Sequence, residues 1–462
     1  MSDLATFRRN KIELIEYEYA KDVRNRVLMS QFMPLEIEVL EEILYSSLKT
    51  PISLLERNLN LSNEEILPIL EKLSKTELFT LNATHVLVDK EMRKYYEFQI
   101  LKFEDDFKPG MEYLQGLLRK VPIHVLPTWY SISRTSNNIF DSIVEKYLQT
   151  PQIFQRYLMD LNLTDPIQAG IMNEVYQSPD YEIEAADMMK KFALSPEQFE
   201  EHMLFLEFSF VACVSYIKEG DRFKGVITPF YEWQEYLLHV RKTDPSPIID
   251  DDAIEKIRES DFAFIEAMSV LVALAQEGPV QLNETIVVKL QKKCPDLSRD
   301  NLEVLIERLC DLHFAEYDGE TLCCNSDAAH WLNMDLSERA LFLYRNPISC
   351  MKHQGLPEYL LNERVIREAE KSLVRIESSG WISLSEFLKG ILIPLRENQE
   401  ILLKRTGRTW KYELPEYSEE ETKFFTSMLE SWLHEAGITS IGDNEGCPCF
   451  CLTSLGQTLF CS

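Results

Sequence analysis

A Leu-Ser dipeptide followed by three mostly polar residues and an apolar helical stripe recurs three times in this chain. It reads Leu61-Ser62-Asn63-Glu64-Glu65-Ile66, then Leu194-Ser195-Pro196-Glu197-Gln198-Phe199, then Leu297-Ser298-Arg299-Asp300-Asn301-Leu302. Counted from each Ser, apolar residues stand at +4, +8 and +11: Ile66, Leu70, Leu73; Phe199, Met203, Leu206; Leu302, Ile306, Leu309. That spacing lays them along one face of a helix. A repeated helical unit implies an array of modules rather than one site.

The surroundings of the first phrase complete a module. Residues 34–46 carry Ile37, Leu40, Ile43 and Leu44 on one helical stripe, and 51–57 read as a short second helix. Ser62 caps a third helix to about residue 74, with Glu65 closing a capping box. Two apolar runs, 78–81 and 85–88, then flank Asn82-Ala83-Thr84 as a hairpin. Three helices and a β-hairpin are the order of the winged-helix form of helix-turn-helix.

The same order is expected over 161–242, where Thr164-Asp165-Pro166 starts a helix. There 183–192 and 195–208 supply two more helices, and 210–217 with 223–227 the hairpin. A third module is expected over 250–345, with helices near 262–276, 283–292 and 298–311 and strands at 314–317 and 321–324. A looser fourth occupies 358–462: a short helix over 381–388, a helix capped by Ser418 running to 434, and strands at 438–441 and 448–452. The first module spans 30–90, and a helical connector over 91–160 follows it, interrupted at Pro122 and Pro127. The fold class read from the sequence is therefore mostly α with small β-hairpins, as tandem winged-helix modules joined by helical connectors.

Charge narrows what such an array does. The 462 residues hold 76 acidic against 48 basic side chains, a formal net charge of −28. A surface this acidic repels phosphate backbones unless a basic patch is segregated from it. Acidity also serves solubility alone, and composition does not separate the two. No stretch approaches the length of an uninterrupted apolar membrane span, and the charged N-terminus carries no apolar signal core. The ten cysteines lie mostly inside apolar runs, unlike a disulfide scaffold, so cytoplasmic residence is expected.

The helix after each Leu-Ser would be the one to enter a DNA groove, and its polar face is poor in cations. The second carries Glu197, Glu200, Glu201 and Glu207 with no Lys or Arg. The third sets Arg299 and Arg308 against Asp300, Glu303, Glu307 and Asp311; the first sets Lys72 and Lys75 against Glu64, Glu65 and Glu71. Acids in a first helical turn suit the helix dipole, but they would face the phosphates of a docked groove.

Residues 362–412 break the acidic trend, with ten basic residues against seven glutamates. Within them Lys404, Arg405, Arg408, Trp410 and Lys411 form a basic run with an aromatic inside it, the candidate contact for a partner or for nucleic acid. The same run also reads as a solvated loop pairing with the protein's own acids. Cys447, Cys449 and Cys451 share one face of a strand, but the spacing suits a core-facing wing better than zinc. No phosphate loop, dinucleotide fingerprint, nucleophile elbow or H-E-x-x-H is present, so neither catalysis nor a cofactor is expected.

The C-terminal third resembles the bacterial helicase-associated domain related to the N-terminal domain of XPB-type helicases. The pieces are Trp331-Leu332 with Leu336-Ser337-Glu338-Arg339-Ala340-Leu341, then Gly380-Trp381-Ile382-Ser383-Leu384, then Leu452-Thr453-Ser454-Leu455-Gly456-Gln457. They are similar to that family's domain-joining helix, its tryptophan-led helix start and its closing Leu-Thr-x-x-Gly strand. The resemblance implies winged-helix content and association with DNA-repair or transcription machinery. No motor motif is present, so ATP-driven unwinding is not implied. The expected function is a non-catalytic protein–protein interaction or regulatory scaffold. The alternative is a DNA-binding regulator that contacts nucleic acid through the basic C-terminal module alone.

Overall fold

The computed structural model describes residues 19–121, 124–133, 138–281, 284–293, 299–376, 380–407 and 409–460. They are mostly helical, with small antiparallel sheets of two to four strands. The chain divides into two compact units, one running to His239 and including Leu402–Glu413, the other Val240–Ile401 with Leu414–Ser462.

In the first unit one arrangement occurs twice. A helix (Pro34–Tyr45), a short strand (Lys49–Pro51), two helices (Ile52–Leu59, Asn63–Leu73) and a hairpin (Phe79–Leu81, His85–Val88) follow in order. Pro166–Gln177, Ile183–Glu184, Ala185–Lys191, Pro196–Phe208 and the hairpin Cys213–Glu219 with Arg222–Thr228 repeat it. In both, the short strand pairs with the second hairpin strand, Lys49 opposite Leu87 and Ile183 opposite Ile227. Ile183–Glu184 was expected as the start of a helix, and of Lys49–Pro51 only Pro51 fell within an expected helix. Two or three residues carry no alternation that a sequence can display, and only the partner strand makes them β.

The Leu-Ser phrase is the turn between second and third helices. Asn60 and Ala193 take left-handed backbone (φ 54° and 52°), stopping the second helix. The following Leu61 and Leu194 amides then bond back to Glu56 and Met189 carbonyls, a Schellman stop. Ser62 and Ser195 at once cap the next helix, accepting from Glu65 and Gln198 amides while those side chains reach back to the Ser amides. The third phrase's Leu297 and Ser298 lie outside the described residues. All nine +4, +8 and +11 side chains are buried, so the stripe is core in each case.

The third helices end alike. Glu77, Phe210, His313 and Gly437 all have positive φ, and the apolar residue after each (Leu78, Val211, Phe314, Ile438) is buried. Only one of the four is glycine. The buried apolar residue that follows offsets the roughly 1–2 kcal/mol an L-residue spends in that conformation.

The second unit repeats the arrangement with Ala263–Gln276, Val280–Gln281, Glu284–Lys293, Arg299–Asp311 and the hairpin Ala315–Tyr317 with Thr321–Cys324. In its last part Ile382–Ser383, Leu384–Lys389, a helix from Glu419 capped by Ser418, and the hairpin Thr439–Asn444 with Cys447–Leu452 recur. Here Ile254–Lys256 adds a fourth strand beside Thr439–Asn444. The last hairpin turns at Glu445-Gly446, so both strands are longer than expected. Ser454–Phe460 is a helix, where the Leu-Thr-x-x-Gly piece implied a closing strand. The strand stops at Leu452 because Thr453 turns its hydroxyl to the Gly456 amide and starts the helix. One contiguous apolar core, from Phe264 through Trp331 and Phe387 to Phe450, runs through this unit.

Candidate functional site

The basic run forms a two-stranded hairpin, Leu403–Thr406 with Thr409–Tyr412. It folds with the first unit, not with the residues that flank it in sequence. Leu403 donates its amide to the Gln149 carbonyl, and the buried Tyr412 hydroxyl donates to that of Leu148. Trp410 meets Phe140 edge-on at 5.9 Å, and Tyr412 lies against Trp233 and Tyr236. Lys404 pairs with Glu413 at 2.8 Å, and Arg405 with Glu112 at 3.7 Å while its guanidinium lies over Trp410. Lys404 stands cross-strand from Lys411, and both cations hold the Glu413 carboxyl below its usual range, after its hydrogen bond from Lys404. Arg408 lies outside the described residues.

The third helices present fewer charges than the sequence suggested. Glu197 and Glu201 are exposed, but Glu200 and Glu207, one heptad apart, turn inward and are buried. The inward turn corrects the expectation that all four acids share the outer face. Lys72 reaches Glu36 at 2.6 Å, and Arg308 is buried on Glu435, Nε to Oε2 at 2.7 Å and Nη2 to Oε1 at 3.0 Å. Neither cation is presented to a groove. The side chain of Arg299 is not among those described.

What turns Glu200 and Glu207 inward is a buried charge cluster in the first unit. Arg26, on the helix Tyr19–Met29, sends Nη2 to Glu207 Oε2 at 2.7 Å and Nε to Asp22 Oδ1 at 3.3 Å. Its Nη1 stands 3.7 Å from Glu200 Oε2. Lys102 donates to Glu207 Oε1 at 2.7 Å, and the Tyr113 hydroxyl to Glu207 Oε2 at 3.1 Å. Asp22 Oδ1 also accepts from the Tyr95 hydroxyl and from Gln99 Nε2. Burial alone would raise the Glu207 carboxyl, but Arg26 and Lys102 outweigh it and bring its pKa down to about 2. At Glu200 burial wins over Arg26 and Lys102, and the pKa is raised.

Beside this cluster a cleft of about 1030 Å³ opens between the helices Tyr19–Met29, Lys90–Gln99 and Met111–Arg119. Lys120 lines it with its ammonium over the Tyr95 and Phe98 rings, 3.6 Å from Asp22. Burial outweighs the pull of Asp22 and lowers this ammonium's pKa to about 8. A titratable group shifted by burial inside a cleft makes this cleft the candidate binding site of the unit. Sequence reading missed Asp22, Arg26, Lys102 and Lys120. The Asp22–Arg26 spacing of one helical turn was the one local signal; the partners lie far along the chain.

Cys447 is exposed, Cys449 buried and Cys451 between, on one strand. Among the described residues no group of three or more His, Cys, Asp or Glu side chains could hold a metal ion. No helix among them is long and apolar enough to cross a membrane. Comparisons with protein-family models, with curated proteins and with solved structures each return no match.

Proposed function

We propose that the four repeated arrangements are winged-helix modules, and that the chain is a non-catalytic protein–protein interaction or regulatory scaffold. One observation carries the reading: the acids left exposed on the second repeat's third helix have no cation beside them on that helix, and Lys72 and Arg308 of the other third helices are engaged by acids of the same chain. Glu197 and Glu201 are exposed, whereas Lys72 and Arg308 are spent on Glu36 and Glu435 of the same chain. A helix so arranged repels a phosphate-lined groove and suits a protein partner that brings cations. The resemblance of the C-terminal third to a helicase-associated domain points to partners in DNA-repair or transcription machinery. The DNA-binding alternative rests on the hairpin, whose Lys404 and Arg405 are already paired with Glu413 and Glu112.

The test is affinity capture of the full chain from native cells, beside titration against duplex and single-stranded oligonucleotides over a salt series. A stoichiometric protein partner retained by the wild type and lost from Glu197→Lys/Glu201→Lys supports the scaffold. Salt-dependent oligonucleotide binding that weakens in Lys404→Ala/Arg405→Ala/Lys411→Ala overturns it in favour of the DNA-binding reading.

A further inference from the structure

The cleft beside the charge cluster has an imbalance of donors. Every acid that lines it has a partner within the chain. Asp22 accepts from Arg26, Tyr95 and Gln99; Asp89 accepts the Glu91 and Met92 amides and so caps its helix. Glu77 pairs with Lys21, and Glu91 with Lys94. Two buried donors lack a hydrogen bond. Among the described residues Asn25 Nδ2, on a residue only 7% exposed, and Lys120 Nζ have no hydrogen-bond partner, and both residues line this cleft. Unmet buried donors cost free energy that a ligand's acceptors recover.

The walls say what carries those acceptors. Phe98, stacked on Tyr113 at 4.9 Å, lines the cleft with Met92, Tyr95 and Gly116. Gly116 is needed there, since a Cβ would stand 2.3 Å from the Phe98 ring. Arg119, exposed, adds a guanidinium among the lining residues. One buried ammonium, one amide and one guanidinium beside aromatic and thioether surface match a single carboxylate on an apolar body. A phosphate would bring more charge and acceptors than these few donors meet.

We propose that this cleft binds a small apolar carboxylic acid, its carboxylate held by Lys120 and Asn25 with Arg119 assisting, and its body against Phe98 and Met92. The groups around the ammonium are Asp22, Arg26, Lys102 and Glu207, together with the Tyr95 and Phe98 rings. Of the charges, Asp22 and Glu207 favour the charged lysine while Arg26 and Lys102 oppose it, and burial outweighs them. A bound carboxylate adds a second counter-charge to that of Asp22, so affinity falls as pH rises through about 8, where the free site's lysine loses its proton.

The experiment is calorimetric titration and thermal shift of the full chain with 4-phenylbutyrate, its neutral amide 4-phenylbutanamide, and inorganic phosphate. The acid is expected to bind and raise the melting temperature, with the amide and phosphate each weaker by about tenfold or more. Lys120→Met is expected to lose about tenfold or more in affinity and the pH dependence with it. Arg119→Ser, a change at an exposed side chain, is expected to lose several-fold, so the test stands even where Lys120→Met folds poorly. Absence of binding by the acid at millimolar concentration, equal binding of acid and amide, or wild-type affinity in Arg119→Ser and Lys120→Met overturns the proposal.

Discussion

Arg26 and Glu207 stand 181 residues apart in sequence, and their buried side chains meet with Nη2 donating to Oε2 at 2.7 Å. The contact joins the helix Tyr19–Met29 to the third helix of the second repeat, and Lys102 and Tyr113 close on the same carboxylate. Glu207 is 0% exposed, so its charge has no water to fall back on. A buried pair of this kind adds little over an apolar substitute, but removing one member leaves the other uncompensated.

Glu207→Gln is therefore expected to destabilise the protein by about 3–5 kcal/mol in chemical unfolding. The combined Arg26→Met, Lys102→Met, Glu207→Leu replacement should recover only part of that loss, because the buried Asp22 and Glu200 carboxyls then lose Arg26 as a counter-charge. A Glu207→Gln protein within about 1 kcal/mol of wild type would show that the cluster does not clamp these helices.

Glu232 gives stability a pH dependence of opposite sign to Glu207. Burial raises its carboxyl to about 7, against the Met111 amide that it accepts at 2.9 Å. A raised folded pKa means stability that is whole below about pH 4.5 and lost as pH rises through about 7. Glu207, depressed to about 2, contributes stability above about pH 4.5 that is lost as pH falls toward 2. Glu232→Gln keeps an acceptor for Met111 without the charge. It should exceed wild type by about 2–3 kcal/mol at pH 8 and match it near pH 5, measured by urea unfolding at each pH. A constant gap across that range would exclude the carboxyl as its source.

The turn built on the Leu-Ser phrase makes two predictions of opposite direction. Ser195→Ala removes the acceptor for the Gln198 amide and should cost about 1 kcal/mol. Ala193→Gly relieves a left-handed alanine at φ 52° and should add about 0.5–1 kcal/mol, net of the entropy glycine adds to the unfolded chain. Differential scanning calorimetry reads both, and a destabilised Ala193→Gly would contradict the backbone account.

On the hairpin, the docked face should matter more than the charged one. Tyr412→Phe loses a buried hydrogen bond to the Leu148 carbonyl at 2.8 Å and should cost about 1 kcal/mol. Lys404→Ala breaks an exposed pair with Glu413 and should change stability by no more than about 0.5 kcal/mol. Thermal unfolding of the two variants side by side distinguishes them; the reverse order would mean that the ion pairs hold the hairpin.

By itself the sequence determined whatever is local. The Ser62, Ser195 and Ser418 caps and the buried +4, +8 and +11 stripes stand where the spacing put them, and a hairpin follows each cap with its strand ends shifted. A cap needs only the next three residues, and a stripe only the helical period. The tertiary structure alone decided three things. It made β-strands of Lys49–Pro51, Ile183–Glu184 and Ile382–Ser383, because a strand that short exists only through its partner. It buried Glu200 and Glu207, which read as solvent-facing because Arg26 and Lys102 lie far along the chain. And it folded Leu402–Glu413 with the first unit, since Tyr412 finds its apolar and hydrogen-bonding partners at Leu148, Trp233 and Tyr236. Charge and short strands are non-local in their meaning: their free energy depends on what chain folding brings beside them.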